Sequence, residues 1–219
     1  YNNGQRTALS QGARYTNFSN RPADWSFSGR FEYKFSGDWS DFDSFTSSPG
    51  DEEAIMVGVA GMGQKYGENS AFDGTKVWGF TADISAKFSG FSVFAAYVWQ
   101  SYDTEAFNAN TNDYDPWGMV VQAGYSLNDE WELFARYEEG NANGSPTNPL
   151  AIVATDGNPS IFTLGANYFI NDNVKFTVDW GINFADNMTI FANNSSDTGW
   201  TSSDESDQWV LRAQLQLLF

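Results

Sequence analysis

Trp209-Val-Leu-Arg-Ala-Gln-Leu-Gln-Leu-Leu-Phe219 alternates at every second residue. Trp209, Leu211, Ala213, Leu215, Leu217 and Phe219 share one parity, while Gln208, Arg212, Gln214 and Gln216 share the other. Successive side chains of a strand point to opposite faces. The spacing therefore predicts a strand with one wholly apolar face and one face of amides and a charge.

The same design recurs towards the N-terminus. Val174, Phe176, Val178, Trp180, Ile182 and Phe184 alternate with Lys175, Thr177, Asp179, Gly181 and Asn183. Residues 162–170, 131–137, 117–127, 91–99, 78–88 and 25–35 alternate too, and 54–62 forms a weaker strand whose apolar face is unclear. This makes nine predicted strands. The hairpin 123–137 lies over 166–180 residue by residue, a likeness that shared strand chemistry explains without gene duplication.

A soluble β-sandwich also alternates, with its apolar face inward. Three features favour a transmembrane antiparallel β-barrel instead. The strands run about ten residues, the length that crosses a tilted bilayer path. Aromatics gather at strand ends (Trp25, Phe35, Trp117, Trp131, Trp180, Trp209, Phe219), as interfacial girdles do. Connections alternate between tight turns, at Ser89-Gly90, Asn128-Asp129 and 171–173, and long polar loops near 63–76, 101–116, 139–159 and 185–206. Short turns belong to the periplasm and long loops to the exterior. A closed bacterial barrel has an even number of strands. The odd count predicts further strands before Tyr1, with 1–24 as an external loop and 25–219 as the C-terminal strands of one barrel.

Composition narrows the function. The chain has no His and no Cys. It therefore lacks the commonest general base, any disulfide framework and any thiolate metal site, so neither catalysis nor a metal or other cofactor is expected. A net charge of −17 argues against nucleic acid as a partner. Six of the 11 basic residues fall on the polar parity of strands: Arg30, Lys34, Lys87, Arg136, Lys175 and Arg212. Five of the 28 acids join them, namely Glu32, Asp83, Glu132, Glu138 and Asp179, and the others lie in loops, turns and strand ends. The expected wall is close to neutral between acidic rims. Charged rings set channel selectivity, but the same residues also suit cross-strand pairs that only hold a polar wall together. Acidic loops such as 111–115 and 204–207 read as solvated surface charge more readily than as cation sites.

Several segments resemble the phosphate-selective porin O and P family. Val121-Gln-Ala-Gly-Tyr-Ser-Leu-Asn-Asp-Glu-Trp-Glu-Leu-Phe-Ala-Arg-Tyr137 and Thr163-Leu-Gly-Ala-Asn-Tyr-Phe-Ile-Asn-Asp-Asn-Val-Lys-Phe176 resemble its hairpins. Gly29-Arg-Phe-Glu-Tyr-Lys34, Gly37-Asp-Trp39, Phe45 and Gly50-Asp-Glu-Glu53 resemble its strand and extended periplasmic connection. Phe219 resembles the terminal aromatic of a barrel-assembly signal. The resemblance implies a sixteen-stranded, trimeric channel in a Gram-negative outer membrane. Its partners would be the lipid bilayer, lipopolysaccharide and small hydrophilic solutes or anions. Passive diffusion with an anion preference, phosphate included, is the leading expectation. A structural or adhesive barrel with functional acidic loops is the alternative. The pore-lining candidates are Arg30, Glu32, Lys34, Asp83, Lys87, Glu132, Arg136, Lys175, Asp179 and Arg212. The family's constriction loop is expected outside this chain.

Overall fold

A computed structural model describes residues 23–67, 74–103, 113–141, 143, 158–171, 173–185, 200 and 207–217. Among these residues nine strands form: β1 (Ala23–Ser36), β2 (Ala54–Tyr66), β3 (Lys76–Phe88), β4 (Phe91–Asp103), β5 (Trp117–Ser126), β6 (Trp131–Asn141), β7 (Ser160–Asn171), β8 (Val174–Asn183) and β9 (Trp209–Leu217). Each pairs antiparallel with its sequence neighbours in a single sheet, and β1 and β9 are its two edges. The expected residues 1–22 of the external loop and the expected signal at Phe219 lie outside the described residues.

The strands run further into the long loops than alternation predicts. β2 continues to Tyr66, β4 to Asp103 and β6 to Asn141, and Tyr102 bridges Tyr114 beyond that. These ends lose their apolar parity but keep their ladder partners, for example Lys76 opposite both Lys65 and Asp103. Backbone pairing persists where the side-chain signal has stopped. At the other end the turns are tight, and Ser89 and Gly90 both take positive φ, 36° and 91°, between β3 and β4.

Register holds one parity on one face across the whole sheet. Arg30 lies opposite Ala60, Ala60 opposite Thr81, Thr81 opposite Val98 and Val98 opposite Gly118. Further on, Arg136 lies opposite Thr163, Thr163 opposite Gly181 and Gly181 opposite Val210. The opposite parity makes the outward face, where Phe31 and Leu211 are each 65% exposed. Such apolar exposure suits a lipid solvent and would be an aggregation liability in water. β2 also resolves: Val57 and Val59 stand outward opposite Tyr33 and Phe31. Its parity was obscure because small and apolar residues fill its inner side too.

Aromatic contacts gather near both ends of the outward face. Trp25, Phe27 and Trp78 meet with ring centroids 5.8–5.9 Å apart at the long-loop end. Trp131 and Tyr168 meet at 4.7 Å, and Tyr33 and Phe35 at 4.8 Å, at the short-turn end. These are the two girdles of a barrel wall.

Candidate functional site

The inner face carries its charges mainly as pairs. Arg30 donates Nη1 and Nη2 to the two carboxylate oxygens of Asp83, at 2.7 and 2.9 Å, and Nε to Glu32 at 2.7 Å. To do so its side chain passes over Gly58 on the intervening β2. A Cβ there would meet the Arg30 guanidinium and stand 2.8 Å from Asp83 Oδ1. Arg212 on β9 donates Nε to Asp179 on β8 at 2.7 Å, and Arg136 donates Nε to Glu138 at 3.0 Å. Lys34 stands 3.8 Å from Asp38 and over the Trp39 ring at 5.3 Å. Lys175 lies 5.9 Å from the Phe169 ring. Among the described residues no carboxylate comes within ion-pair distance of Lys175.

Lys87 and Glu132 have a different place. They are 5% and 4% exposed, buried beneath the connection between β1 and β2. That connection, 37–53, contains one 3-10 turn at Trp39–Phe42 and folds over the inner face at the short-turn end. Lys87 Nζ donates to the Asp41 carbonyl. Glu132 accepts from Thr46 Oγ1 at 3.2 Å and from Asn167 Nδ2 at 2.6 Å. Ser47, fully buried, accepts from the Gly90 amide at 3.1 Å, and its carbonyl accepts from Ser126 Oγ at 2.6 Å. Phe45 packs on Phe94 at 4.8 Å. The connection is thus tied to strands β3 to β6, two of its ties being made by charged side chains taken almost wholly from solvent. A buried charge needs such partners.

Two depressions flank this connection. One, of about 670 Å³, is lined by Asp38, Asp41, Asp51, Glu52, Asp129 and Glu130, with Lys87 as its base. The other, of about 800 Å³, lies further along the inner face and has three bases, Arg136, Lys175 and Arg212, against the single carboxylate of Asp179. Thr46 faces the first and Phe45 the second, so adjacent residues of the connection border regions of opposite charge. At the long-loop end the inner face bears Trp200, 3% exposed, packed on Ile161 and Val210. Also there, Tyr114 stacks on Tyr102 at 4.4 Å, and its burial beside Tyr102 and Tyr66 pushes its phenol above the ordinary range.

The family model for phosphate-selective porin O and P matches residues 46–219. The chain belongs to that family. Neither curated proteins nor solved structures yield a match. As a porin it is an outer-membrane protein, and its family is one of channels rather than enzymes. Among the described residues no group of His, Cys, Asp and Glu is placed to hold a metal ion.

All ten charged candidates share the inner parity of this porin, but not one environment. Arg30, Glu32, Asp83, Arg136, Asp179 and Arg212 join ion pairs within the wall. Lys34 reaches the connection, Lys87 and Glu132 lie under it, and Lys175 stands apart. Sequence reasoning missed the inward course of 37–53. Its length at a short-turn end was the available signal. Its ties are irregular Ser, Thr and carbonyl hydrogen bonds that leave no period.

Proposed function

We propose that this chain forms part of the wall of a water-filled channel through which small hydrophilic solutes diffuse passively, with a preference for anions. The gathering of the wall charges on one face of the sheet, backed by an outward face of exposed apolar side chains, carries this reading. The preference is local. Arg30 and Arg212 hold carboxylates and Lys87 is covered, so evenly spread wall bases do not supply it. Lys175, the one base of the Arg136, Lys175 and Arg212 group with no carboxylate at ion-pair distance among the described residues, does. Nothing in this geometry singles out phosphate among anions. The long loops face the cell exterior in this reading, and the connection 37–53 narrows the periplasmic mouth. The Lys65–Asp24 and Lys76–Asp103 pairs at the long-loop end, their lysines on the parity of Trp25 and Trp78, are the groups we assign to lipopolysaccharide contact.

The experiment is reversal-potential measurement on the purified protein in planar bilayers across a KCl gradient. The acids at the periplasmic mouth repel anions at low salt and are screened over about 8 Å at physiological ionic strength. Anion preference is therefore expected to strengthen as salt rises. Cation selectivity at every salt concentration would overturn the preference. Absence of conductance would overturn the channel itself.

A further inference from the structure

The depression of about 800 Å³ on the inner face joins cationic groups to aromatic rings, a combination that simple hydration of a pore wall does not require. Phe134 is an inward-facing phenyl on β6, opposite Gly165 on β7. A Cβ at Gly165 would collide with the Phe134 ring and stand 2.9 Å from Asp179 Cβ. The glycine thus lets the ring lie down along the wall, filling the space above β7 instead of standing into the lumen. Phe45 borders the same depression from the connection 37–53 and is held by its contact with Phe94. Around these rings stand Arg136, Lys175, Arg212 and the amide of Gln122.

We propose that this depression is a solute subsite for small organic carboxylates with an apolar or aromatic body. This rests on the channel reading above. The carboxylate of such a solute meets the basic groups, and its body lies against Phe134 and Phe45. Arg136 and Arg212 already hold Glu138 and Asp179 and frame the site without supplying its excess charge. Lys175 adds a flexible point charge with no carboxylate at ion-pair distance among the described residues. Ring-on-ring contact adds to simple area burial. A compact, strongly hydrated inorganic anion gains nothing from two phenyl rings, whereas an aryl carboxylate uses both halves of the site. The acidic depression on the other side of the connection, with six carboxylates and one base, makes the periplasmic mouth a poor place for the same anion to linger. The solute therefore dwells at the basic depression and leaves quickly through the mouth.

The test uses the native protein extracted from outer membranes and placed in planar bilayers in KCl, with sodium benzoate and sodium acetate as probes. Benzoate at millimolar concentration is expected to lower chloride conductance, and acetate at the same concentration to lower it less. Phe134→Leu is expected to raise the half-blocking benzoate concentration about fivefold, the scale of one lost aromatic pair, while moving acetate block less. Lys175→Gln is expected to weaken block by both. Equal block by the two probes, or benzoate block that Phe134→Leu leaves unmoved, overturns the subsite while the channel stands. A protein that opens no pores overturns the channel reading instead. Phe45→Leu, outside the strands, carries the same comparison should Phe134→Leu fail to reach the membrane.

Discussion

The guanidinium of Arg30 on β1 crosses β2 and takes both carboxylate oxygens of Asp83 on β3, at 2.7 and 2.9 Å. Gly58 makes the crossing possible, because any Cβ there would occupy the guanidinium's path. Gly58→Val should therefore destabilise the barrel by about 1–3 kcal/mol, the usual cost of overpacking. Urea titration of the lipid-refolded protein measures it. Asp83→Asn keeps the shape and removes a wall charge, so reversal potentials should move towards anions.

The two faces are separated by one residue at Val178 and Asp179. Val178 stands outward opposite Ala213, and Asp179 stands inward beside Arg212. Val178→Arg should cost roughly 2–4 kcal/mol near the bilayer midplane. Asp179→Asn should cost about 1 kcal/mol or less, since Arg212 keeps access to lumen water. Equal tolerance of both in lipid refolding would contradict the face assignment.

The connection 37–53 is held inward by Lys87 and Glu132. Lys87→Met removes the donor to the Asp41 carbonyl, and Glu132→Leu removes the acceptor of Thr46 and Asn167. Each should loosen the connection, raise single-channel conductance and speed chymotrypsin cleavage after Phe42 and after Phe45, which is already 54% exposed. Unchanged conductance together with unchanged cleavage in both variants would show that the connection does not depend on these two side chains.

Orientation follows from connection length. Asp113 lies in a long connection and Asp129 in a tight one. Asp113→Cys should react with an impermeant thiol reagent on intact cells, whereas Asp129→Cys should react only after the outer membrane is opened. Reversed labelling would turn the barrel over.

Much of this wall was legible in the sequence because a strict period of two survives wherever lipid and water lie on opposite sides. β8 and β9 show it most clearly, with Val178 and Asp179 as neighbours of opposite environment. β2 was obscure for a physical reason: Gly58 and Ala60 on its inner side make room for Arg30, so polarity gives way to smallness. Lys87 and Glu132 read as wall charges by parity, and the ladder sets them on the same face as Asp83 and Arg136. Their burial depends on a connection that reaches them through Thr46, Ser47 and a backbone carbonyl, and no local pattern announces that. Arg30, Arg136 and Arg212 read as selectivity groups or as members of structural pairs. Arg30 and Arg212 pair with carboxylates of other strands, Asp83 and Asp179, which the register decides, whereas Arg136 pairs with Glu138 two residues along its own strand.

The claim on which the rest depends is that the polar parity of this sheet lines water inside a pore. Single cysteines along β8, from Val174→Cys to Gly181→Cys, test it by block of single-channel current with a charged methanethiosulfonate reagent. Current should fall on modification at 175, 177 and 179, stay unchanged at 174, 176, 178 and 180, and change little at 181, which Trp200 covers. Block without this period of two, or block confined to the even positions, would contradict the account.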